Sequence, residues 1–408
     1  NTLTKEKEKK ENKKKDEDLL KEQEQQDTEK KQDKTTQEKN EPKRSFIRVY
    51  LKSIITLICI LISPIVLAFL LSSAALKPAV YNALSSNFNR GLVLPHMVPD
   101  IQYYFDKTLR HHHDPKKDLG IDFETISFPS EEEGINLRGW YIKSKKHETH
   151  TGCRTLLLNH GAFIDRRAMV VHVKYLHEAG YNILMYDMRD HGISDGYTRG
   201  TSLGVREHAD VLYGVNYVLN TLNPDQTEIA VFGSSNGAVS SLMAGILHSN
   251  ITTIVAENPF SNRRVQLYEA IEMAIRDGKW GDENLSDSTI GTIISIATNL
   301  VPNWFLSFVA YIVEYRMGGL NVPQLDEMIT NIDPKKRIFL IHGDYDAMVP
   351  MHHTIRLQAL AGDEVATTWI VKTGRHSELI HVNPALYQSK VLSFLNKNFP
   401  TKCMNKKN

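Results

Sequence analysis

Ile229-Ala230-Val231-Phe232-Gly233-Ser234-Ser235-Asn236-Gly237-Ala238 is the stretch on which the fold turns. Four apolar residues lead into a glycine, and Ala238 to His248 has helical spacing, so the pattern reads as a buried strand, a very tight turn and a helix. Gly233 and Gly237 stand two positions either side of Ser235, where a Cβ would keep strand and helix from passing one another. A serine at the tip of such a turn is strained and projects over the helix N-terminus. The free amides and positive dipole end there favour a developing negative charge. Ser235 is therefore the candidate nucleophile; in an ordinary Gly/Ser-rich turn, Ser234 would serve equally well.

A serine hydroxyl reacts at neutral pH only when a histidine takes its proton, and that histidine needs a carboxylate to fix its tautomer. Downstream, Ile341-His342-Gly343-Asp344-Tyr345-Asp346 closes an apolar run and offers two acids. Asp346, in the loop past the turn, is the candidate acid. Asp344, beside the strand end, is expected to cap backbone amides, and Glu257 is the reserve acid. Gly374-Arg375-His376-Ser377 puts His376 on a short loop before the terminal helix, which makes it the candidate base, with His381 in reserve. Two amides should hold the oxyanion: that of Asn236, directly after the nucleophile, and that of Ala162 in the Asn159-His160-Gly161-Ala162-Phe163 loop, with Phe163 next. His160 reads as a structural residue of that loop. His111 to His113 read as a polar linker, since Asp114 alone does not complete a metal cage.

Around these motifs runs a regular rhythm. Ile121 to Phe128 and Ile135 to Ile142 alternate apolar and polar residues about a turn at Glu133-Gly134, which predicts a hairpin. Short apolar runs at Thr155 to Leu158, Ile183 to Tyr186, Ile229 to Phe232, Thr253 to Ala256, Ile338 to Ile341 and Thr368 to Val371 read as buried parallel strands. Helical spacing marks Arg167 to Glu178, Leu203 to Leu222, Ala238 to His248, His353 to Leu360 and Pro384 to Asn398. The class is α/β, a mostly parallel doubly wound sheet with an N-terminal antiparallel hairpin. Residues 258–336 separate two consecutive strands by too much chain for a loop, so they read as an inserted helical cap. Within it Thr289 to Val313 carries no charge, includes Trp304, Phe305 and Phe308, and is broken by Pro302 and Asn303. Its reading is cap helices packed on the core, with an apolar lid touching lipid or an acyl chain as the functional alternative.

The 408 residues carry 49 basic against 48 acidic side chains, a net charge of +1, which offers no field to a polyanion. With no Walker loop and no zinc-spaced array, nucleic acid is not an expected partner. Cys59, Cys153 and Cys403 are too scattered for a disulfide framework or a thiolate metal site. Residues 1–44 hold 14 Lys/Arg and 13 Asp/Glu with one apolar pair, and read as a disordered tail. Residues 53–76 are uncharged, rich in Ile and Leu and long enough to span a bilayer, so they read as a transmembrane signal anchor. Lys34, Lys39, Lys43, Arg44, Arg48 and Lys52 precede that run while only Lys77 and Arg90 follow it closely. The bias predicts a single-pass type II topology, a linker over 77–119 and a lumenal or extracellular domain beyond. Asn250-Ile251-Thr252 and Asn284-Leu285-Ser286 are candidate glycosylation triplets there.

His160-Gly161, Asp187-Met188-Arg189-Asp190-His191-Gly192-Ile193-Ser194, the Ser235 turn, His342-Gly343 to Pro350, and His376, in the order nucleophile, acid, histidine, resemble the α/β-hydrolase superfamily over roughly residues 120 to 400. Within it they are similar to membrane-anchored serine hydrolases of the alpha/beta-hydrolase-domain and bacterial envelope types. The resemblance implies a core over 120–257 and 337–400, an activity among carboxylesterases, lipases, thioesterases, peptidases and acyltransferases, and no metal or organic cofactor. With the anchor and the apolar cap it implies a lipid or other acyl ester as substrate. A thioesterase or serine peptidase with the same triad, and a non-catalytic binding protein of the same fold, stand as alternatives. Two residues depart from the family pattern: Asp190 replaces a usual glycine, and Arg375 precedes His376 where a small residue is frequent.

Overall fold

The computed structural model describes residues 25, 114–130, 134–144, 154–196, 200–276, 279–280, 283–284 and 302–399. The chain divides into two units at residue 67, and all the described residues but residue 25 belong to the second. The expected charged tail and signal anchor, the linker up to residue 113 and the apolar run through residue 301 lie outside the described residues. Among the described residues no helix is long and apolar enough to cross a membrane.

The strands are β1 (Glu124–Ser130), β2 (Ile135–Ile142), β3 (Thr155–Asn159), β4 (Asn182–Tyr186), β5 (Ile229–Ser234), β6 (Ile251–Glu257), a two-residue pair β7 (Lys279–Trp280) and β8 (Glu283–Asn284), then β9 (Arg337–Gly343) and β10 (Ala366–Val371). Eight of them form one sheet in the order β1-β2-β4-β3-β5-β6-β9-β10. The β1–β2 hairpin is antiparallel and joins β4 antiparallel; every other neighbour is parallel. Burial explains the sequence pattern. Every residue of β3, β4 and β5 is buried, as covering on both faces requires, whereas β1 alternates towards solvent.

Successive side chains point to opposite faces of a strand, so β3 feeds two cores. Leu157 joins Leu184, Val231 and Val211 under helices Glu207–Tyr217 and Asn236–Leu247. Leu156 and Leu158 join Phe232, Leu176, Val391 and Leu395 under helices Val173–Ala179 and Pro384–Asn398. The arrangement is doubly wound, as the alternation of elements predicts.

Three intervals differ from the reading of the sequence. The helix expected over Arg167 to Glu178 begins as 3-10 turns, Arg166–His172, before the α-helix Val173–Ala179. Asp165 accepts the Arg167 amide at 2.9 Å, and the Arg166 amide is claimed by Asp187 at 2.8 Å, so the first turns are tied to the strand end. The helix expected from Leu203 starts at Glu207, because the Glu207 carboxylate accepts the Ser202 amide at 2.6 Å and the Gly204 amide at 3.0 Å. The expected cap interval, 258–336, divides. Helices Arg263–Arg276 and Asn303–Arg316 pack on each other around Glu314, which pairs with Arg264 at 2.6 Å and Arg263 at 3.4 Å. From Leu325 onward, Leu325, Ile329 and Ile332 belong to the core beneath the sheet. Asn250, a glycosylation candidate, donates its side-chain amide to the Thr227 carbonyl at 2.7 Å.

Candidate active site

β5 ends at Ser234 and a helix starts at Asn236, which leaves Ser235 alone at the turn with φ 54° and ψ −119°. For a non-glycine residue that conformation costs about 1–3 kcal/mol and persists only where its surroundings dictate it. Here they do. A Cβ on Gly233 would stand 2.1 Å from the Gly237 oxygen, and one on Gly237 would stand 2.2 Å from the Asn159 oxygen. The Ser235 amide donates to the Glu257 carbonyl at 2.8 Å, and its own carbonyl accepts the Ala238 amide at 2.9 Å. Ser235 is half-buried while Ser234 is buried, so of the two hydroxyls only that of Ser235 opens outward.

His376 Nε2 lies 3.0 Å from Ser235 Oγ, and His376 Nδ1 lies 2.7 Å from Asp346 Oδ2. A carboxylate can only accept, which places the ring proton on Nδ1 and leaves Nε2 free to take the serine proton. Asp346 is held in turn. Its Oδ1 accepts the amides of Met348 at 3.0 Å and Val349 at 2.8 Å, and its Oδ2 also accepts the Asn258 side-chain amide. Burial pulls the His376 pKa down, but the Asp346 charge and hydrogen bond, aided by Glu257 and Glu378, outweigh it and leave it raised.

Two glycines bring the acid and base loops into contact. A Cβ on Gly343 would stand 2.1 Å from the Gly374 oxygen, so the chain after β9 lies backbone to backbone against the chain after β10. Tyr345 donates its amide to Gly374 at 3.0 Å across that seam. Asp344 does cap backbone, accepting the Thr373 amide at 2.6 Å. The reserve acid Glu257 is hydrogen-bonded to Ser234 and Tyr387. The reserve base His381 is exposed on the short helix Leu379–Val382.

The loop after β3 reaches Ser235: a Cβ on Gly161 would be 3.3 Å from the Ser235 Cβ. Ala162 and Phe163 follow, half-buried, with Phe163 at φ 67°. Asn236, the first residue of its helix, has an amide without an intrahelical acceptor. His160 is a structural residue. Its Nδ1 donates to the Gly161 carbonyl at 2.7 Å, its Nε2 accepts the Met188 amide at 3.0 Å, and burial pulls its pKa to about 3. Asp190 takes φ 60°, a left-handed conformation that Asp tolerates better than most residues. Arg375 is exposed beside His376.

Reading the sequence missed Asn258. Its side chain reaches Asp346 because the residue turns to φ 50° directly after β6. The only signal for it was an Asn, a residue at ease in that conformation, at a strand end.

Among the described residues one other cluster gathers ligand-type atoms: Glu269, His352 and His353, mutually within 4.8 Å. The Ser261 amide donates into His353 Nδ1 at 3.2 Å, which puts the ring proton on Nε2, facing Glu269 at 3.0 Å. The cluster thus reads as a hydrogen-bonded tie between the cap helix Arg263–Arg276 and the helix His352–Ala361 that follows the acid loop.

No family model matches the chain. The uncharacterised protein YqkD of Bacillus subtilis is 25% identical over 316 residues, 75% of this chain and 92% of that protein. Among solved structures, the esterase Pf2001 of Pyrococcus furiosus is similar with a TM-score of 0.52 at 23% identity, over 69% of this chain and 93% of that one. The α/β hydrolase GrgF of Penicillium gives 0.51 at 18% identity, over 68% and 99%. With its mostly parallel eight-stranded sheet, helices on both faces and a strand-turn-helix around Ser235, the chain has the α/β-hydrolase fold.

Proposed function

We propose that the protein is a serine hydrolase that cleaves carboxylic esters through an acyl-enzyme. One observation carries the reading: His376 is within hydrogen-bond reach of Ser235 Oγ on one side, at 3.0 Å, and of Asp346 on the other, at 2.7 Å. The esterase named among the structural neighbours supports it. As the Ser235 oxygen bonds to the ester carbonyl carbon, its proton passes to His376 Nε2, and Asp346 stabilises the imidazolium. The amides of Asn236 and Ala162 receive the oxyanion. His376 then gives the proton to the departing alkoxide as the ester bond breaks. Water, deprotonated by the same nitrogen, releases the acid and restores Ser235.

The uncharged run 53–76 and the exposed Trp304, Tyr311 and Tyr315 of the cap favour a lipid or other acylated substrate and a type II membrane anchor. Protease protection in sealed vesicles tests the topology. A fluorophosphonate probe tests the chemistry: the wild type is expected to label and Ser235→Ala is not, with kcat of His376→Ala falling about a thousandfold or more. Equal labelling of wild type and Ser235→Ala would exclude this nucleophile.

A further inference from the structure

Glu257 closes β6 with 3% of its surface exposed, and among the described residues no Lys or Arg pairs with it. Burying a carboxyl without a cation is unfavourable unless hydrogen bonds compensate. Two of its bonds lead to the site and one to the terminal helix. The Glu257 carbonyl accepts the amide of Ser235 itself at 2.8 Å. Its Oε1 accepts the Ser234 hydroxyl at 3.2 Å, and Ser234 Oγ is 3.0 Å from Ser377 Oγ, on the residue after His376. Its Oε2 accepts the Tyr387 hydroxyl from the terminal helix. Ser377 has φ 55°, so the base loop is bent into a form that this hydroxyl pair stabilises.

We propose that Glu257 is a positioning residue, which fixes the His376 loop through Ser234 and Ser377 and sets a second carboxyl within electrostatic reach of the imidazole. The inference rests on the serine-hydrolase reading, in which His376 becomes a cation during each half-reaction. Asp346 touches the ring directly, whereas Glu257 acts without a bond to it. The ionisable groups that face Glu257 are Tyr387 and Tyr175 from the helices, and His376 and Asp346 from the loops; Glu378 adds a charge on the His376 side. His172, whose ring is tilted against that of Tyr387, is held neutral by burial, so it supplies no compensating cation. Burial pushes the Glu257 carboxyl up, the Tyr387 and Ser234 hydroxyls work against that, and of the groups around it the cation that holds it ionised is protonated His376.

Glu257→Gln keeps the shape and both hydroxyl partners and removes only the charge. In the full-length protein, the His376 ring titration followed by NMR is expected to move down by about one pH unit or more. The acid limb of kcat/KM should move with it. Ser377→Ala, which cuts the hydroxyl link and spares the charge, is expected to lower kcat and leave the titration in place. An unmoved His376 titration in folded Glu257→Gln overturns the proposal while fluorophosphonate labelling keeps the serine-hydrolase reading; absence of labelling in the wild type overturns both. If Glu257→Gln does not fold, Ser377→Ala decides: an unchanged kcat in folded Ser377→Ala rejects the idea.

Discussion

Ser235, His376 and Asp346 sit on three loops that share no sequence proximity, and each is immobilised by bonds of its own before any substrate arrives. Asp346 alone receives four donors: two backbone amides, the Asn258 amide and the His376 ring. That many donors keep the carboxylate oriented and make its charge available to the imidazole. The pH dependence follows. Since the His376 pKa is raised above its usual 6.5 and the base must be neutral, kcat/KM should rise with pH along a limb whose midpoint lies above 6.5. The same group contributes folding stability that is fully present below 6.5 and lost as pH rises through its folded value. A limb with its midpoint below 6.5 would contradict this account of the site. At this scale Ser235, Asp346 and His376, which the structure brings into one hydrogen-bonded chain, were legible as candidates, because each stands in a short motif at a strand end. Asn258 was not, since its importance arises only from the spatial neighbour it reaches.

β3 shows what the elements contribute. Thr155 to Asn159 is buried on both faces, and its leucines divide between the two cores. Leu157→Ala is expected to cost about 2–5 kcal/mol, the range for a truncated core leucine, measured as a lower denaturant midpoint at unchanged slope. A loss under 1 kcal/mol would mean that the core can collapse around the gap. Continuous apolar runs made the strands readable; helix starts were harder. Glu207 and Asp187 capture amides ahead of the helices, a competition between side chain and backbone that periodicity does not register. The terminal helix Pro384–Asn398 was read to the residue. Proline opens it and the Asn383 side chain caps the Leu386 amide at 3.1 Å, both local signals.

For the molecule as a whole, buried neutral histidines link folding to acid. His172 lies between Phe232 and Tyr387, donates to or accepts from Tyr175 Oη at 3.0 Å, and is pulled by burial to about 3. An unfolded histidine protonates near 6.5, so the stability that comes from keeping this ring neutral is present above 6.5 and is lost as pH falls towards 3. His172→Phe should therefore unfold less steeply with acid than the wild type, by up to about 1.4 kcal/mol per pH unit in that window. Parallel stability curves for the two proteins would refute the linkage.

The sheet class, the eight strands of the main sheet and the turn around Ser235 were determined by residue pattern alone, and the candidates for its partners were narrowed to a few, because burial on two faces, tight turns and capping are local demands written into short stretches. The division of the 258–336 interval between an outer helix pair and the core beneath the sheet, the Asn258 contact, and the seam of Gly343 on Gly374 were decided by the tertiary structure. Each depends on which surfaces meet when strands distant in the chain become neighbours, and no local period or propensity encodes that choice.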